Sequence, residues 1–276
     1  MQFQTTIAHE VIYTGIGLHS GLNVTITLKP APANSGIVFV RTDLSGQPVV
    51  RATATQVTDT LRATTLEDGP AKVFTIEHLM SAFSGLGVDN CVVDMTSPEP
   101  PVGDGSALIF VNLIQQVGIV TLTTERKILK VVKAHTVRVD DRFITILPYD
   151  GLRITFTSIN SHPLLGVQFG DYEITPEIFC REIAPARTIG FMNEVEALKA
   201  QGLAKGGSLE NVIMYDDKQV LTPLRFSDEL VRHKILDIVG DMALAGRVEG
   251  HIIAVKSGHA LNTVLARQLL ATQPLR

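Results

Sequence analysis

The sequence predicts an α+β protein of two similar domains from an internal repeat, each a mainly antiparallel sheet covered by two helices. Three observations predict this. Strand-like alternation of apolar and polar residues occurs in both halves, and in each half it is followed by a helix with a single apolar stripe. After each of those helices come an apolar strand and a glycine-containing turn into a second helix. The chain has 276 residues, 45% of them hydrophobic. That is enough for two cores, since domains commonly run to roughly 100–200 residues.

In chain order, Gly21–Thr27 and Gly151–Thr157 each open on glycine and are apolar at every second position, the pattern of a strand with one buried face. Thr75–Phe83 places Ile76, Leu79, Met80 and Phe83 at helical spacing, and Asp228–Leu244 does the same with Ile235, Ile238, Val239 and Met242. Thr75 and Ser227 stand where N-caps are useful. The strands Cys91–Met95 and His251–Val255 follow, then the turns Asp104-Gly105-Ser106 and Ser257-Gly258-His259 into further helices. The domains are expected at 1–124 and 125–276, with the seam in the polar stretch Thr121–Lys127. Residues 160–210 read as an insertion in the second half, with helices at Pro176–Arg181 and Asn193–Gln201. Thr53–Glu67 is rich in threonine and weakly patterned, and Ser97–Pro101 is a loop by its proline content.

A formal net charge of −4 without a basic cluster points away from nucleic acid, and the absence of tryptophan argues against a base-stacking platform. No apolar run approaches the roughly eighteen residues a membrane span needs, and the first thirty residues carry no signal-peptide pattern. Two cysteines, Cys91 and Cys180, without CxxC spacing fit a reducing cytoplasm. A cytoplasmic monomer is expected.

His233 and Asp237 lie four apart on a well-patterned helix, so one cation could be offered an imidazole nitrogen and a carboxylate oxygen together. Taken alone, that pair is more readily a surface ion pair worth a few tenths of a kcal/mol. Glu77-His78 on the matching helix of the first half shifts the balance. If the halves pack face to face, His78 completes a His2Asp site with an open fourth position, and Glu77 stands beside it as a general base. His259, just after a glycine turn, reads equally well as a capping or solvated residue, and Arg187-Thr188 reads as loop.

The runs Thr75-Ile76-Glu77-His78-Leu79, Val231–Asp237 continuing to Gly240-Asp241, and Lys256–Asn262 resemble the UDP-3-O-acyl-N-acetylglucosamine deacetylases. So do Gly15–Gly21, Pro98-Glu99 through Ser106, Ala186-Arg187-Thr188 and Gly206-Gly207-Ser208, in the right order over essentially the whole chain. The resemblance implies two α+β domains with the active site between them, and Zn²⁺, or Fe²⁺ in its place, held by His78, His233 and Asp237. It implies Glu77 as base, a charged His259 oriented by Asp241, Thr188 as an oxyanion donor, and Lys234 beside polar groups of the substrate. Leu18, His19, Ile189 and Phe191 would meet the substrate, UDP-3-O-acyl-N-acetylglucosamine, with Met192, Leu198 and Leu203 of the insert toward its acyl chain. The implied activity removes the acetyl group in the committed step of lipid A biosynthesis; either His259 or re-protonated Glu77 would give the amine its proton. Two positions depart from the family pattern: Ile189 replaces an aromatic residue, and Gly103 a bulky apolar one. The alternatives are a related zinc amidase acting on another acylated nucleotide sugar, and a non-catalytic nucleotide-sugar binding protein.

Overall fold

The computed structural model describes residues 2–272. Two sheets dominate it, and they share one strand order. The first runs Val11–Ile16, Asn23–Pro30, Cys91–Met95, Ile37–Arg41, Val49–Arg51; the second runs His135–Val139, Arg142–Leu147, Arg247–Val255, Leu152–Ile159, Val167–Glu173. In both, the central strand is antiparallel to its neighbour on one side and parallel to its neighbour on the other. Ile128–Lys130 pairs alongside Arg247–Val255. Strand alternation correctly marked Gly21–Thr27 and Gly151–Thr157 as strands, but they do not occupy equivalent places. Asn23–Pro30 corresponds to Arg142–Leu147, and Leu152–Ile159 to Ile37–Arg41. A period of two reports one buried face and carries no information about position in a sheet.

The helices are α1 (Glu77–Leu86), α2 (Leu108–Val117), the short α3 (Pro176–Ile178) and α4 (Val195–Ala200), α5 (Glu229–Ala243) and α6 (His259–Thr272). The paired helices of the two halves are α1 with α5 and α2 with α6. The two central helices, α1 and α5, pack extensively against each other, and one hydrophobic core runs from Ile7 to Leu269 across both halves. Among the described residues, no helix is long and apolar enough to cross a membrane.

Several expectations are corrected. Neither Thr75 nor Ser227 is an N-cap: α1 starts after Ile76 and α5 after Asp228, whose carboxylate instead accepts from Arg232 Nε at 2.7 Å. The polar stretch expected to hold the seam, Thr121–Lys127, overlaps the strand Ile119–Glu125, which pairs with Phe3–Ile7. Part of the expected insertion, Val167–Glu173, is the edge strand of the second sheet. The remainder forms a parallel pair, Ile189–Phe191 with Ile213–Tyr215, joined through α4. The weakly patterned stretch of the first half contributes to a separate three-stranded sheet, Val57–Asp59, Thr65–Asp68 and Ala71–Phe74.

Candidate active site

The approach of α1 to α5 builds the site. A Cβ on Gly240 would lie 2.0 Å from the carbonyl oxygen of Glu77, so only glycine admits so close a crossing. Glu77 and His78 occupy the first turn of α1, opposite His233, Asp237 and Asp241, which follow one another at four-residue spacing on α5. All five are buried. The start of α1 is aimed by an unusual turn, with Thr75 in the left-handed region at φ 56°, strained for a β-branched residue. Its hydroxyl donates to Glu99 Oε1 at 2.8 Å. The fully buried Glu99 also accepts from the backbone N–H groups of His19 and Ser20, at 2.9 and 2.8 Å.

His78 Nε2 and His233 Nε2 lie 3.8 and 3.5 Å from Asp237 Oδ1, and the two rings meet edge to face at 5.0 Å between centroids. The three donor atoms fall within 4.8 Å of one another. Ligands about 2.0–2.1 Å from a tetrahedral ion stand roughly 3.3 Å apart, so the 3.5 and 3.8 Å separations from Asp237 are near that spacing and the set could close on a divalent cation. The protonation states fit as well. Burial pushes His78 down to about 3, helped by neighbouring His233, and burial also lowers His233. His233 Nδ1 is 3.1 Å from the Ala186 carbonyl, which can only accept; the proton therefore sits on Nδ1 and Nε2 is free to ligate. Burial opposes charge on Asp237, but Lys234, whose Nζ donates to Oδ2 at 2.9 Å, holds the carboxyl well below its ordinary range.

Next to this triad stand a carboxylate and an imidazole of opposite habit. Burial raises Glu77 to about 7, despite the opposing pull of His259. For His259, burial is outweighed by Asp241 and Glu77, which lift it to about 10. His259 Nδ1 donates to Asp241 Oδ2 at 2.8 Å while its Nε2 stands 3.8 Å from Glu77 Oε1. Asn262 Nδ2 donates to the same Asp241 oxygen at 2.9 Å. The site thus holds a carboxyl poised near neutrality facing a cationic imidazole, a pair that could take up and give a proton.

These groups open into a cleft of about 500 Å³ lined from both halves. Leu18, His19, Thr188, Ile189, Phe191 and Lys234 all line it, while Asp241 lies behind His259. Thr188 is fixed through its backbone, N–H to Gly105 O and carbonyl to Ile213 N–H, and its hydroxyl has no hydrogen-bond partner among the described residues. His19 is tied to the insert by Ala204 N–H donating to its Nδ1 at 3.3 Å. Ile189 and Phe191 share one face of their strand by the two-residue period. Phe191 brings an aromatic ring to the cleft, beside His162 at 5.4 Å between centroids. At the second departure, Gly103 has φ 58° and a Cβ there would press on Ile109 at 2.7 Å, so this backbone excludes a bulky residue.

Sequence reasoning passed over Thr64, Glu99 and Asn262 as site residues. Glu99 and Asn262 fall inside the motif runs, so their signal was present; Thr64 carried none. Arg62, whose guanidinium pairs with Glu194 at 3.0 Å across the cleft mouth, was also passed over.

A family model described as UDP-3-O-acyl N-acetylglycosamine deacetylase matches residues 4–271. A protein of Geobacter sp. (strain M21) named UDP-3-O-acyl-N-acetylglucosamine deacetylase is 48% identical over 273 residues, covering 98% of this chain and 90% of that protein. Proteins of the same name from Geotalea uraniireducens (strain Rf4) and Shewanella violacea (strain JCM 10179 / CIP 106290 / LMG 19151 / DSS12) are 46% and 45% identical. Those alignments cover 98% and 99% of this chain, and 89% and 91% of the relatives. With its motifs, its buried donor set and these matches in agreement from end to end, the chain belongs to the UDP-3-O-acyl-N-acetylglucosamine deacetylase family.

Proposed function

We propose that this protein hydrolyses the acetamide of UDP-3-O-(3-hydroxyacyl)-N-acetylglucosamine, releasing acetate and the free 2-amine in the committed step of lipid A biosynthesis. The observation that carries the reading is the buried His78, His233, Asp237 donor set with Glu77 and His259 on either side of the space in front of it. His78, His233 and Asp237 would hold Zn²⁺, which supplies Lewis-acid activation of water and of the amide carbonyl when bound. Glu77 takes the proton from the attacking water, whose oxygen bonds to the acetyl carbon. Charge then develops on the former carbonyl oxygen, and the Thr188 hydroxyl and the cationic His259 donate to it. The C–N bond breaks once the nitrogen accepts a proton from His259 or from re-protonated Glu77. Lys234 keeps Asp237 ionised and presents its ammonium to polar groups of the substrate. Leu18, His19, Ile189 and Phe191 hold the sugar and acyl portions.

Metal analysis combined with a deacetylation assay on the acylated nucleotide sugar tests the reading. His78→Ala and Asp237→Ala are each expected to lose most bound metal and nearly all turnover. Full occupancy with an unchanged rate in either variant would overturn it.

A further inference from the structure

Thr64 lies in the part of the first half with the least readable pattern, yet it is completely buried beside the reacting groups. The register of its strand explains the placement. Thr65 pairs with Phe74 and Leu66 with Val73, which lays this stretch beside the chain leading into α1. Arg62, in the left-handed region at φ 65°, turns the chain inward just before it.

From that position Thr64 makes two hydrogen bonds, one to each of two site carboxylates. Its backbone N–H donates to Glu77 Oε2 at 3.1 Å. Its hydroxyl donates to Asp241 Oδ1 at 2.6 Å, a residue 177 positions away on α5. The other oxygen of Asp241 accepts from His259 Nδ1 and Asn262 Nδ2. Glu77 is left with Oε1 toward His259 Nε2. The base, the cationic imidazole and the carboxylate that orients it are thus tied through one threonine.

We infer that Thr64 is a positioning residue for the hydrolysis: its hydroxyl fixes Asp241, and through it the ring of His259, relative to the Glu77 carboxylate that its own N–H holds. This inference rests on the roles proposed for Glu77 and His259. A buried carboxylate that loses one of three donors loses its fixed orientation, because the remaining two donors both act on Oδ2. The ring of His259 turns with it. The candidate ligands should keep their places, since no hydrogen bond joins Thr64 to His78, His233 or Asp237.

The test compares Thr64→Val, which keeps the shape and removes the hydroxyl, with Thr64→Ser, which keeps the hydroxyl. Thr64→Ala, which lacks the hydroxyl and cannot overpack, substitutes if the valine variant does not fold. Rates are taken per metal-loaded chain. Thr64→Val is expected to lower kcat by about 10- to 100-fold, the usual scale for losing a partner that orients a site group, with KM within about twofold and metal content unchanged. Thr64→Ser is expected to stay within about threefold of the parent in kcat. In protein with ¹⁵N-labelled histidine, the Nδ1–H proton resonance of His259, assigned by its loss in His259→Gln, should move in Thr64→Val and stay in place in Thr64→Ser. A kcat retained within twofold in Thr64→Val, an equal fall in Thr64→Ser, or an unmoved resonance in Thr64→Val would each overturn the inference. Glu77→Gln in the same assay separates the two levels. A normal rate there removes the role of Glu77 and the inference with it, whereas a low rate beside a normal Thr64→Val rate removes the role of Thr64 alone.

Discussion

Replacing Gly240 by alanine is expected to weaken metal binding through a residue that is itself no metal ligand. A Cβ at this position would sit 2.0 Å from the Glu77 oxygen, against 3.4 Å for ordinary contact, so α1 and α5 must part by about 1.4 Å. Neither side can yield locally, because the Glu77 carbonyl belongs to a helix backbone. His78 moves with α1, while His233 and Asp237 stay with α5. Metal–ligand distances tolerate deviations of only about 0.2 Å, so the three donors no longer converge. Metal affinity should fall at least about tenfold, the lower end of what displacing a ligand's supporting shell costs. Overpacking costs about 1–3 kcal/mol, and alanine's better helix propensity offsets at most about 1 kcal/mol of it. With that offset taken in full the net loss is about 0–2 kcal/mol, which lowers the melting temperature by up to about 8 °C in a chain of this size. Competition for Zn²⁺ against a chromophoric chelator gives the affinity, and calorimetry of the metal-free protein gives the stability. Unchanged affinity, whatever the melting temperature does, would refute the claim that this crossing sets the position of His78.

Glu77→Gln keeps the shape of the side chain and removes the proton acceptor, so metal content should hold while kcat falls by about 10²–10⁴; a kcat within threefold of the parent would show that Glu77 is not the base. The rate should be bell-shaped in pH. Glu77 works deprotonated, so activity is lost as pH falls through its value of about 7, and His259 works protonated, so activity is lost as pH rises through about 10. A bound cation lowers both values. His259→Gln should abolish or displace the alkaline limb, and an unchanged bell would assign that limb to another group. Ile189→Phe should lower KM for the nucleotide sugar severalfold with kcat within about twofold, because a ring against the sugar serves ground and transition states alike. A lower melting temperature without a fall in KM would instead show that position 189 serves the packing of Ile213 and Leu230.

The apolar stripes of α1 and α5 were legible because helix periodicity is local, and the same stripes fixed which face could carry His78, His233 and Asp237. The strand order was not legible, since alternation looks alike in any half-buried strand. Thr75 was misread for a related reason. Its sequence position suits an N-cap, but its hydroxyl is claimed by Glu99, 24 residues further on, and its backbone is left-handed. Thr64 could not be found at all, because both of its contacts depend on how two strands register and how two helices cross. Gly240 carried a signal that went unused, as a glycine inside a helix is costly unless another backbone needs the space.

The α1–α5 crossing also sets when the protein can acquire its metal. One donor of the candidate set, His78, comes from the first half, and the other two come from α5. A nascent chain that has completed only its first half offers one donor of that set, which cannot retain a divalent ion against cellular chelators. With the proposed ligands, loading would follow folding, and an ion in place would certify that both halves have closed upon each other. The ion in turn secures that closure: free metal at a hundred times its Kd adds about 2.7 kcal/mol to stability. Metal scarcity would then act twice, by idling the enzyme and by exposing more of it to proteolysis at any moment.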